Sequence, residues 1–298
     1  MEEVKHYPVM YREVLDLLEI KNKKLVVDCT VGTGAHAYKM LEVMDKDGAL
    51  IGIDKDEESL AVAKQRLIPF EGRFTLIKSD FFDLDTALEN LNVTEVDAFL
   101  FDLGISTYQL SNPERGFSFL KDGPLDMRMN RDTFMSAQDL VTNLSEFELS
   151  SIFKKFGEER YSKRLARSII TARGKGPIST TAQLSEIIFN AVPYKARHQR
   201  IHPATRAFQA LRIAVNKELD VLESAIRKAA SFLKQDGRIG VISFHSLEDR
   251  IAKHTIRSLY SDGVLKIITK KPLLPSDEEI SKNKASRSAK MRVAVKVA

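Results

Sequence analysis

Two hydrophobic periods alternate along the first hundred positions of the chain. Short unbroken apolar runs (Leu25-Val26-Val27, Ala49 to Ile53, Phe74 to Ile77 and Val96 to Phe101) read as buried strands. Between them apolar residues recur every three to four positions, predicting helices over residues 35–44 and over Glu57 to Leu67 (EESLAVAKQRL). A further amphipathic helix is predicted over Val9 to Leu18, on Val9, Met10, Val14, Leu17 and Leu18. Strands that are apolar on both faces and alternate with helices imply a parallel sheet covered on both sides, an α/β fold.

After Gly104 the rhythm breaks. Residues 110–205 contain no convincing buried strand, but they carry helix signals. Ser145 with Glu148 and Thr180 with Gln183 each match a capping box, and Gly157 and Pro193 read as stops. A crossover between parallel strands needs only about a dozen residues, so a stretch of this length reads as an inserted helical domain. The α/β rhythm resumes with a long helix over Ala204 to Leu233 and a strand over Arg238 to Ser243. Leu265 to Thr269 and Met291 to Val297 are candidates for two closing strands. The expected organisation is a first α/β part (1–109), a helical substrate-recognition domain (110–205) and a second α/β part (206–298).

Composition narrows the class without deciding it. The 298 residues are 43% hydrophobic and 29% charged, which is ordinary globular material. No apolar run approaches the roughly 18 to 20 residues of a membrane span. The start, MEEVKHYPVM, lacks the features of a signal peptide, so no membrane role and a cytoplasmic location are expected. The single cysteine, Cys29, allows no internal disulfide and fits a reducing compartment. His198 and His202 stand four apart, but no glutamate lies between them and Pro203 follows. No metal is expected.

DCTVGTGAHA, residues 28–37, sits where the first strand turns into a helix, with Gly32 and Gly34 in the turn. Each of the first four strands ends in or near an acid: Asp28, Asp54, Asp80 and Asp102. Ligands of open parallel sheets bind at the carboxyl ends of the strands, and an acid about 20 residues after the glycines reaches ribose hydroxyls. Asp54 stands at that spacing, which suits NAD or S-adenosylmethionine. The third glycine of a dinucleotide fingerprint is missing. Asp28 before the loop would repel a pyrophosphate but suits an amino group and a sulfonium. The reading is S-adenosylmethionine, against a tight turn whose acids merely cap helices.

FDLGISTYQL, residues 101–110, follows the fourth strand, where a carboxylate at Asp102 can orient an acceptor amine. Methylating carbon 5 of a pyrimidine needs a thiolate nucleophile. Cys29 adjoins the cofactor loop and no second cysteine exists, so an amine or oxygen acceptor is favoured. His245, in SFHSLEDR, is placed to line the site or to act as a loop histidine. Ile187 to Lys217 contains no acid while Lys195, Arg197, Arg200, Arg206 and Arg212 accumulate. The tail from Ser281 is also acid-free and basic. Such stretches suit phosphate contacts, or are solvated helix faces. Arg200, His202 and Arg206 are the candidate RNA contacts.

Taken together, DCTVGTGAH, IGIDKD, FDLGIS, ERGFSFLKDGPLDMRMN, HPATRAFQALRIAVNKEL, ISFHSLEDR and ASRSAKMR resemble the bacterial 16S rRNA (cytosine-N4)-methyltransferase family, called RsmH or MraW. The resemblance runs from near His6 to Met291. It implies a class I, Rossmann-like methyltransferase domain with an inserted helical domain, and S-adenosylmethionine as cofactor. It also implies a cytosine in the decoding region of 16S rRNA as substrate, probed in free rRNA or in the small ribosomal subunit. By the same resemblance the cofactor contacts are Gly34, Ala35, His36, Asp54, Phe81, Asp102 and Gln109. The chain departs from the family at Ala35, usually a second glycine, and at Thr107-Tyr108, commonly Ser-Pro. Two competing readings are an NAD-dependent dehydrogenase and a non-catalytic RNA-binding module.

Overall fold

A computed structural model describes residues 8–198 and 201–297, and the chain divides into two units, residues 1–104 with 219–298 and residues 105–218. The first unit is built on seven strands: β1 (Leu25–Asp28), β2 (Ala49–Asp54), β3 (Phe74–Lys78), β4 (Val96–Asp102), β5 (Leu233–Ser243), β6 (Leu265–Ile267) and β7 (Lys290–Lys296). Their order is β3-β2-β1-β4-β5-β7-β6. Strands β3 to β5 in that order pair in parallel, and β7 runs antiparallel to both β5 and β6. Adjacent residues enter opposite cores, as a period of two requires. Val27, Ile53, Phe99 and Phe101 join one apolar cluster, Val26, Leu50 and Leu100 the other. Burial on both faces is why these strands read as unbroken apolar runs.

The chain adds β2 and β3 on one side of β1, then returns to place β4 on its other side. The carboxyl ends of β1 and β4 therefore flank the point where the winding reverses, which is where this architecture opens a ligand crevice.

The second unit is helical among the described residues, and its own core includes Phe153, Leu165, Ile188 and Phe208. Ser145/Glu148 and Thr180/Gln183 form the expected capping boxes, and Ser136/Asp139 forms a third. The ERGFSFLKDGPLDMRMN stretch is a packed loop system. Arg115 is fully buried and donates from Nη2 to the carbonyls of Arg128 and Met129, at 3.0 Å each. A Cβ on Gly123 would stand 2.1 Å from the Pro113 carbonyl oxygen, so only glycine lets these two backbone segments meet.

Several bounds shift. The first helix is Tyr11–Leu17, because Met10 is left-handed. The long helix over 204–233 is two, Ala204–Asn216 and Leu222–Phe232, separated where Lys217 turns left-handed at φ 52°. Helix Ala204–Asn216 buries Ala207, Phe208 and Leu211 in the helical core, so that unit runs to Glu218 rather than to 205. Helix Glu146–Gly157 does end at Gly157, but the left-handed residue after it is Glu158. In β5 the ladder to β4 resumes at Arg238 as the pattern predicts, after extra residues between the Leu233–Val96 and Arg238–Ala98 pairs.

Candidate active site

The glycine turn is held from beneath by the strand ends. Asp54, closing β2, accepts the Gly32 amide at 2.8 Å through one oxygen and the Asp56 amide at 2.9 Å through the other. Val31 donates to the Ile53 carbonyl and Gly34 to the Val31 carbonyl. Gly32 and Gly34 are both left-handed, at φ 50° and 77°, the conformation that glycine adopts without steric cost. Ala35 is the first residue of helix Ala35–Val43. Helical backbone accommodates its Cβ, so alanine in place of a second glycine imposes no strain.

Between β1 and β4 lies a buried polar cluster. Asp28 is 1% exposed and its carboxylate accepts the Thr30 amide at 3.1 Å. Thr30 Oγ1 accepts the Asp102 amide at 2.7 Å, tying β4 to the loop. His36 is buried, with Nε2 2.9 Å from the Val9 carbonyl and Nδ1 3.4 Å from Asp102 Oδ2. The other oxygen, Asp102 Oδ1, is buried and has no hydrogen-bond partner among the described residues.

Burial makes Asp28 and Asp54 reluctant to be negative. It pushes the Asp28 carboxyl up to about 7, reinforced by Asp102 and Asp54 and opposed by His36 and the Thr30 amide. It pushes Asp54 up to about 6 against the two amides it accepts. A cation brought to these carboxylates relieves the desolvation that raises them. An amino group and a sulfonium are such cations. The residues present therefore fit S-adenosylmethionine.

The strand-end acids do not all serve one purpose. Asp80 accepts the Phe82 amide at 3.0 Å and pairs with Lys55 at 3.0 Å, so it caps the turn that carries Phe81. The half-buried Phe81 ring stands edge-on to Phe101, 6.0 Å between centroids. Gln109 lies in the helical unit. It is buried and forms a capping box with Ser106, which starts helix Thr107–Ser111 without a proline.

His245 also caps a helix. Its Nδ1 accepts the Glu248 amide, and Glu248 accepts the amides of Phe244 and His245, in a box that starts helix Ser246–Ser261. His202 begins Ala204–Asn216 by accepting the Ala204 amide at 3.2 Å, and its ring stacks on Phe189 at 5.7 Å. Burial lowers its pKa. Arg206 is exposed and borders, with Arg160, Tyr161, Ile201, His202 and Pro203, a pocket of about 410 Å³ within the helical unit. Arg200 lies outside the described residues. The Cys29 thiol is buried and pushed up by that burial and then by Asp28, which removes it as a nucleophile.

A model of the MraW methylase family matches residues 3–297. The chain belongs to the MraW methylase family. The family assignment decides between the two nucleotide readings: the cofactor of this MraW methylase is S-adenosylmethionine rather than NAD. The chain is 46% identical over 294 residues to ribosomal RNA small subunit methyltransferase H of Persephonella marina, covering 99% of this chain and 100% of that one. It is 47% identical to the protein of that name from a Sulfurihydrogenibium species, over 97% of this chain and 98% of the relative. In fold it is similar to a crystal structure assigned as an rRNA methylase of Clostridium thermocellum. That match has a TM-score of 0.50 at 13% identity and covers 98% of this chain and 100% of that one.

Proposed function

We propose that this methylase transfers the methyl group of S-adenosylmethionine to the exocyclic N4 amine of a cytosine in the decoding region of 16S rRNA. The acceptor is carried over from relatives of nearly half identity that are named for the small-subunit rRNA. With a ribosomal acceptor, the expected place of action is the cytoplasm. The observation that carries the chemistry is Asp102, whose buried Oδ1 lacks a partner among the described residues at the point where the sheet reverses its winding.

Bound S-adenosylmethionine supplies an electrophilic methyl carbon on a sulfonium. Gly34, Ala35, the backbone of His36, Asp54 and Phe81 would hold it, Asp54 by its ribose. Asp102 accepts a hydrogen bond from the donor presented to it and so fixes the acceptor nitrogen with its lone pair toward the methyl carbon. Bound there, S-adenosylmethionine would give up its methyl carbon to that nitrogen, with the carbon–sulfur pair staying on sulfur. Alkylation acidifies the nitrogen, which then sheds one proton. Orientation and proximity are what the site contributes, without a strong base. A carbon acceptor is disfavoured because Cys29 is buried and its thiol held protonated.

The test is transfer of labelled methyl to free 16S rRNA and to isolated small subunits, followed by nuclease digestion and mass spectrometry. Label on N4-methylcytidine supports the reading. Label on carbon 5 or on a ribose oxygen overturns the acceptor assignment, and absence of turnover on both substrates leaves an RNA-binding module.

A further inference from the structure

We propose that His36 is a positioning residue for Asp102, its buried imidazole pairing with one carboxylate oxygen and so fixing the orientation of the whole group. The inference rests on the reading of Asp102 given above.

The hydrogen-bond inventory carries it. A backbone carbonyl only accepts, so His36 Nε2, 2.9 Å from the Val9 oxygen, bears a hydrogen. Nδ1 stands 3.4 Å from Asp102 Oδ2, an ion-pair distance that suits a ring protonated there as well. An imidazole protonated on both nitrogens is a cation. Its surroundings are acidic from each side. Asp28 and Asp102 come from β1 and β4, and Glu279 stands by Val9, accepting the Met10 amide at 2.7 Å. Burial opposes the charge. The hydrogen bond to Asp102, the charges of Asp102 and Asp28 and the Val9 carbonyl outweigh it, and the pKa of His36 is raised.

The consequence falls on Asp102. Its amide is held by Thr30 and its Oδ2 by His36, which leaves Oδ1 in one orientation. Both ring nitrogens of His36 are committed inside the protein. Its side chain therefore acts through Asp102, while its backbone lies in the first turn of helix Ala35–Val43.

Two substitutions divide the ring between its partners. Gln places its amide nitrogen near the Nε2 position, keeping Val9 and abandoning Asp102. Asn places its nitrogen near Nδ1, keeping Asp102 and abandoning Val9. In the full-length protein, His36→Gln is expected to unfold near the wild-type temperature and to bind S-adenosylmethionine nearly as well. Its kcat for methyl transfer to small subunits should fall about tenfold to a hundredfold, the loss expected for one hydrogen bond to a charged group. His36→Asn should retain more of kcat than His36→Gln. Wild-type kcat should decline as pH rises through the titration of His36, and this decline should be absent in His36→Gln. Combining His36→Gln with Asp102→Asn should cost no more than Asp102→Asn alone.

Wild-type turnover by Asp102→Asn would show instead that the reading of Asp102 is at fault. An impaired Asp102→Asn beside a fully active His36→Gln overturns the inference and leaves His36 as a strap for Val9. So does an alkaline decline shared by wild type and His36→Gln, whatever the stability of His36→Asn.

Discussion

Asp54 and Asp28 end neighbouring strands yet predict opposite behaviour on substitution. Asp54 accepts two loop amides, so Asp54→Ala removes the proposed ribose acceptor and loosens the glycine turn together. Each lost bond to a carboxylate is worth about 1.5 to 3 kcal/mol. Calorimetric titration should therefore show S-adenosylmethionine affinity reduced by at least about tenfold, with a lower melting temperature. Unchanged binding would remove Asp54 from the cofactor site. For Asp28, burial raises the folded pKa from 3.8 to about 7. The folded state then holds the extra proton, so the stability linked to Asp28 is fully present below about pH 4 and is lost as pH rises through 7. Asp28→Asn does not titrate. Measured against wild type, its melting temperature should gain between pH 5 and pH 8, by an amount on the order of 3 kcal/mol of relative stability. A pH-independent difference would mean that Asp28 titrates as an exposed acid.

At the scale of elements, the helical unit depends on close helix contact. A Cβ on Gly157 would stand 2.7 Å from the Arg206 carbonyl oxygen and 3.3 Å from Ala210 Cβ, both on helix Ala204–Asn216. Alanine gains about 0.5 to 1 kcal/mol of helix propensity at such a position, while overpacking costs about 1 to 3 kcal/mol. The second effect wins. Gly157→Ala should lower the melting temperature and speed proteolysis within residues 105–218; a more stable variant would show that the two helices have room to part. The capping boxes at Ser145 and Thr180 were legible because both partners lie three residues apart. The packing role of Gly157 was not, because its neighbour is some fifty positions away, and the residue reads locally as a stop.

For the molecule as a whole, charge is less available than its linear density suggests. Arg212 is bound bidentately to Glu218, and Arg197 donates to the carbonyls of Val192 and Asn190. Arg292 and Lys290 meet Asp249, Lys282 meets Glu278, and Lys296 donates to the Ala230 carbonyl. Much of both basic stretches thus serves the fold. The exposed Arg206 beside the pocket of the helical unit remains suited to phosphate, with Arg200 six positions before it. Arg200→Ala with Arg206→Ala should weaken RNA binding and reduce the slope of log affinity against log salt by about 0.7 to 0.9 per lost contact. Cofactor affinity should stay at the wild-type value. A double variant with the wild-type salt slope would make this face a solvated one.

What the sequence by itself determined is everything whose partners are close along the chain or repeat with a fixed period. That covers the α/β rhythm, the left-handed glycines of the turn, the capping boxes and the interval from Gly32 to Asp54. Only tertiary structure decided the roles of residues whose partners are remote. Asp28, Asp80 and Asp102 look alike as acids at strand ends. Folding makes Asp80 a helix cap beside Lys55, buries Asp28 until it resists ionisation, and leaves Asp102 with one oxygen pinned by His36 and one without a partner. His245 likewise reads in sequence as a site or loop histidine, and only the fold gives its Nδ1 the Glu248 amide to cap. The physical reason is common to all of them. A polar group's function follows from which donors, acceptors and charges replace its water, and on burial those come from strands and helices that only the fold assembles.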